Sequence, residues 1–65
     1  MVYSIVWKFG GGATERQMFD GDVEDAKVEA TNRALAYARE YGRCETTVHD
    51  ESGQQHLIRV DDYHG

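Results

Sequence analysis

Residues 22–42 read DVEDAKVEATNRALAYAREYG, and this stretch decides the fold because it carries helical periodicity through its whole length. Projected at about 100° per residue, Val23, Ala26, Ala30, Ala34, Tyr37, Ala38 and Tyr41 share one side, with Val28 and Leu35 widening it. Asp25, Glu29, Asn32, Ala36, Arg39 and Glu40 face away. Asp22 is placed to cap the N-terminus, Asp25 follows three residues on in the manner of a capping box, and Gly42 suits a left-handed C-cap. The spacing predicts a helix over 23–41. Its inner stripe is mostly alanine, which lets a helix lie close to a sheet.

On the N-terminal side, residues 2–9 (VYSIVWKF) are rich in β-branched and aromatic side chains and apolar on both alternating faces, the pattern of a central strand. Gly10, Gly11 and Gly12 break it, and residues 14–19 resume an extended pattern with the character of an edge strand, so the pair forms a hairpin. On the C-terminal side, residues 43–49 and 54–61 alternate around the turn residues Asp50, Glu51, Ser52 and Gly53. A three-residue loop with Gly53 left-handed sets Val48 opposite His56, Thr46 opposite Ile58 and Cys44 opposite Val60, which gathers the apolar residues on one face. The expected fold is therefore α+β with the order β-β-α-β-β. It is a single domain over 1–65, with a four-stranded, mainly antiparallel sheet, one long helix on one face and a short tail at 62–65.

Sixty-five residues leave little room for a deep catalytic cleft, and the single cysteine, Cys44, excludes an internal disulfide. An unpaired thiol fits a reducing compartment, so the cytoplasm is the expected location. No run approaches the roughly 18 apolar residues of a membrane helix, and the N-terminus lacks the features of a signal peptide. The chain is expected to be soluble and complete, without a membrane partner. Twelve acids against seven Lys and Arg give a net charge of -5, which disfavours direct nucleic-acid binding and favours a basic protein surface as partner.

His49, His56 and His64 with Cys44 match no zinc spacing, so no metal site is assigned, although a two-residue turn would make His49 and His56 cross-strand neighbours. Ser4, Ser52, Cys44 and the histidines fall on separate segments with no nucleophile elbow. The glycine triplet is followed by a strand where a phosphate-binding loop would have a helix. No catalytic residue and no cofactor are assigned, and the chain is expected not to be an enzyme.

The acids are the strongest lead. Asp20, Asp22, Glu24, Asp25 and Glu29 put five carboxylates within ten residues and are the candidate partner-binding residues. Helix capping and solubility account for Asp22, Glu24 and Asp25, less well for Asp20 and Glu29. Asp22, Asp25 and Glu29 step about 4.5 to 6 Å apart along a helix, a ladder of negative charge comparable to successive phosphates. Gln17, Phe19, Asn32 and Arg33 would supply shape around it.

The chain's size, its lack of cysteine pairs and the cluster FDGDVEDAKVEA at 19–30 resemble small phage-borne anti-CRISPR proteins of the DNA-mimic kind. The resemblance implies an inhibitor that blocks a nucleic-acid-binding complex, such as a DNA-binding subunit of a CRISPR surveillance complex, in the host bacterial cytoplasm. The alternative comes from WKF in the first strand and an alanine-rich helix ending in YG, which resemble small bacterial domains of unknown function. That likeness implies an accessory module acting through protein contact or as a homodimer, paired through residues 14–19 or 43–49 as an edge strand. A monomer is favoured over a homodimer.

Overall fold

A computed structural model describes residues 1–63 of the chain. Strands β1 (Val2–Phe9), β2 (Ala13–Asp20), β3 (Arg43–Asp50) and β4 (Gln55–Asp62) form one antiparallel sheet in the order β2-β1-β3-β4, and helix α1 (Val23–Tyr41) packs on one face. The expected α+β architecture is the observed one. β1 is central and β2 an edge, as read from the sequence. β3 lies inside the sheet, so the second edge is β4 and residues 43–49 offer no free edge. Asp62 closes β4 where a tail was expected to begin, while His64, one of the histidines weighed as a ligand, lies outside the described residues.

The alanine stripe works as the sequence implies. Ala26, Ala30, Ala34 and Ala38 are buried, and α1 lies mainly over β3, reaching β1 and β4. Small side chains bring the helix backbone close enough for the buried Trp7 Nε1 to donate to the Ala30 carbonyl at 3.0 Å. Tyr3, Ile5, Trp7, Cys44, Thr46 and Val48 fill the sheet side of the core. Arg33 spans the gap toward β2: it lies 4.7 Å from the Trp7 ring centroid and donates to Gln17 Oε1 and Tyr37 Oη. Phe9 stacks on Tyr37 at 4.2 Å beyond it.

Val28 and Leu35 do not widen the core stripe; both are exposed, because the helix rests on the narrow alanine ridge and cannot roll toward them. The helix ends also divide. Gly42 adopts the left-handed conformation at φ 90° and donates to the Ala38 carbonyl at 2.7 Å. Asp22 has the extended backbone of an N-cap but makes no side-chain capping hydrogen bond, so the capping box does not form; its carboxylate faces solvent.

The largest departure from expectation is in the second hairpin. At the turn the pairing is the expected one, with His49 opposite Gln55. A bulge then adds one residue on β4, and from there Val48 faces Leu57, Thr46 faces Arg59 and Cys44 faces Asp61. A one-residue slip sends every later side chain to the other face. Ile58 and Val60 therefore point away from the helix, whereas Arg59 and Asp61 lie beneath it.

Asp50 fixes that slip. One carboxylate oxygen accepts from Ser52 N (2.9 Å), Ser52 Oγ (2.6 Å) and Gln54 N (3.0 Å), and the other meets His56 Nε2 at 2.8 Å. The His56 ring then sits edge-on to Tyr3 at 5.6 Å, on the helix side, directly before Leu57 on the same side. Two consecutive residues on one face are the bulge. Below it, Arg59 makes a two-pronged pair with Asp61 at 2.8 and 2.6 Å and donates to Thr31 Oγ1 at 3.1 Å, which satisfies the charges that the slip has turned inward.

The Ser52 hydroxyl, then His56 and the Gln54 and Ser52 amides, hold the Asp50 carboxyl well below its ordinary value near 3.8. A depressed folded-state value means stability that is present above the ordinary value and is lost as pH falls below it. Asp50→Asn keeps an acceptor for the two amides but cannot ionise. It is expected to lower stability at pH 7 and to lose less on acidification from about pH 4 to pH 2; equal acid-side slopes in denaturant titrations of the two proteins would contradict this. In the core, Ala34→Leu is expected to cost about 1–3 kcal/mol by overpacking, against at most about 0.5 kcal/mol for Ala36→Leu on the exposed side; equal effects in chemical denaturation would contradict the close helix approach.

Candidate functional site

The five acids singled out from the sequence do not form one site. Asp20 ends β2 on the face opposite the helix, paired across from Val2, and lies 3.6 Å from the N-terminal ammonium. Glu24 pairs with Lys27 at 3.3 Å on the flank of α1 that faces β4. Asp22, Asp25 and Glu29 remain together on the other flank, the one from which Arg33 reaches Gln17. Asp22 and Asp25 are exposed and Glu29 is half-buried. Among the described residues no lysine or arginine pairs with these three. Arg33 stands one turn after Glu29, but its donors are committed to Gln17 and Tyr37. Of the residues expected to lend shape, Gln17, Phe19 and Arg33 are engaged in the fold's own packing, and Asn32 is exposed.

The histidines are separated by the bulge. His49 pairs with Gln55 on the open face of the sheet, whereas His56 turns to Asp50 and Tyr3 beneath the helix, so the two do not share a side. No group of three metal-ligating side chains occurs among the described residues. Ser52, Asp50 and His56 are adjacent, but the carboxylate stands in the middle. The serine hydroxyl donates to Asp50 and has no base to take its proton, so the arrangement braces a turn and activates no nucleophile. Cys44 is buried against Thr46 Oγ1 at 3.6 Å, and burial pushes its thiol above its ordinary value, the opposite of what a reactive thiolate requires.

What sequence reasoning missed is the open face of the sheet. With β4 turned over, the side not covered by α1 presents Met18 (61% exposed), Ile58 (68%) and Val60 (47%), joined by the half-buried Val2 and Val6. These residues run obliquely from β2 across β1 to β4. Thr47 lies between Val6 and Ile58, so the stripe is continuous along one rung. Lys8, Arg16 and Arg43 share this face with Asp20, Glu45 and Asp62, and a shallow hollow beside the glycine turn lies between Lys8 and Arg43. Contiguous exposed apolar surface rimmed by charge is the mark of an interaction site. The only hint in the sequence is the doublet Leu57-Ile58, which strict alternation cannot place on one face.

No helix among the described residues is long and apolar enough to cross a membrane. No protein-family model matches this chain, and neither a curated protein nor a solved structure is detectably similar to it.

Proposed function

We propose that this chain is a non-catalytic interaction module that works through the open face of its sheet. The observation that carries this reading is the exposure of Ile58, Met18 and Val60 together on the face that the helix leaves uncovered. Each apolar side chain withdrawn from water there contributes roughly 1.5–3 kcal/mol when fully buried. A few such residues at the centre of a charged rim have the composition of a contact surface, with the apolar part supplying affinity and the rim supplying orientation.

A second reading has its own observation. Asp22, Asp25 and Glu29 hold three carboxylates on one helix flank without cations of their own, on the side away from the open face. That favours an acidic inhibitor of the anti-CRISPR type, in which the ladder occupies the basic groove of a nucleic-acid-binding complex in the bacterial cytoplasm. Asp20 and Glu24 take no part in this version, being on another face and paired to Lys27 respectively. The two readings use different faces and are compatible in one molecule.

A photo-reactive residue placed at position 58, and separately at 25 and 36, in cells producing the chain discriminates them. The first reading predicts a discrete protein adduct from position 58 and none from 36. Adducts from 25 alone would favour the acidic reading, and absence of any adduct from 58 would overturn the first.

A further inference from the structure

This inference rests on the reading of the open face as an interaction surface and names what covers it. We infer that the occupant is a second copy of the chain, the two sheets packed face to face about a two-fold axis that runs along the strands between β1 and β3.

Charge is the first argument. The chain carries -5, yet its open face holds Lys8, Arg16 and Arg43 against Asp20, Glu45 and Asp62, so it is close to neutral. The excess acid lies on the helix side and at the edges. Two copies can therefore approach through this face without the repulsion that any helix-side contact would bring, whereas a strongly basic partner finds no complementary field here.

Register is the second. Lys8 and Glu45 stand directly opposite each other on β1 and β3, and Val6 and Thr47 do the same one rung away. An axis along the strands lays β1 of each copy over β3 of the other, so Lys8 of each meets Glu45 of the other and Val6 meets Thr47, every contact made twice. On the outer strands, Ile58 is covered by the aliphatic stem of Arg16, whose guanidinium reaches the rim. The other two-fold arrangement, with the axis across the strands at this rung, stacks Ile58 on Ile58 and Val6 on Val6, but it also sets Arg16 against Arg16 and loses both ion pairs.

Area is the third. Four strands at about 4.8 Å spacing and eight residues at about 3.3 Å rise give a face of about 500 Å², or about 1,000 Å² over two copies, at the minimum of about 1,000 Å² for a biological interface and below the size of the most stable ones. Aligned packing at about -30° suits two twisted sheets of this kind. In the assembly the helices lie outermost, and Asp22, Asp25 and Glu29 stay in water. This proposal departs from the expected monomer, and the exposure of Ile58 and Val60 on the open face is what favours it.

Sedimentation equilibrium on the full chain tests the proposal. The wild type is expected to be a dimer. Lys8→Glu alone and Glu45→Lys alone are each expected to raise the dissociation constant at least tenfold, because each sets like charges against each other in the homodimer. An equimolar mixture of the two variants restores both intermolecular pairs and is expected to dimerise as the wild type does, while the like charges within each chain are the same as before mixing. Circular dichroism on each variant checks that the helix and sheet persist. A mixture no tighter than the separate variants, or single variants as tight as wild type, would overturn the face-to-face arrangement. A wild type that stays monomeric would overturn self-association while leaving the module reading intact, since a photo-adduct from position 58 of any mass other than a dimer's would identify a different occupant.

Discussion

Between His49 and Val48 the pairing of β3 with β4 slips by one residue, and Asp50 determines where it does so by holding Ser52 and Gln54 with one oxygen and His56 with the other. Everything beyond that point on β4 depends on the constraint. Had the register of the turn continued, Ile58 and Val60 would lie under the helix and Arg59 and Asp61 in water. Instead the ion pair lies half-buried on the helix side, satisfied by its own two-pronged geometry and by Thr31, and the aliphatic residues are on the open face. Turning two charges inward is tolerable only with such complete pairing, and His56 against Tyr3 gives the bulge a packing contact in return.

The other half of the architecture follows from small side chains. A ridge of four alanines lets α1 settle close to β3, with Trp7 filling the space beside it and hydrogen-bonding the helix backbone. One helix of this kind covers one side of the sheet. The shortest dimension of the molecule is 15 Å, enough for a helix on a sheet and nothing further. The second side of the sheet is left uncovered by the helix, and the slip in β4 adds Ile58 and Val60 to it. The proposed function and the proposed dimer are both consequences of these two features taken together.

The elements were legible because their punctuation is local. Glycines 10–12, the turn at 50–53, the acids before Val23 and Gly42 after Tyr41 each carry a conformational reason at one position, and the elements fall between them. The bulge was not legible because alternation assigns faces only while the period stays at two, and the sequence HLIRV fits either face depending on where one residue is inserted. The acidic cluster shows a different failure. Proximity in sequence placed five carboxylates together, but a turn at Gly21 separates Asp20 from the helix, and the helical period divides Glu24 from Asp22, Asp25 and Glu29. The histidines offered only their spacing to the sequence reading, and the role of His56 in bracing the turn emerges only with Asp50 and Tyr3 around it.

The direction in which β4 presents its side chains is thus the point on which the account stands. Methyl nuclear Overhauser spectroscopy on dilute, selectively labelled protein measures it directly. The account predicts cross-peaks from the Ile58 δ-methyl to the Thr47 methyl and from Leu57 to Val48. Cross-peaks from Ile58 to Val48 or to the helix alanines would contradict it.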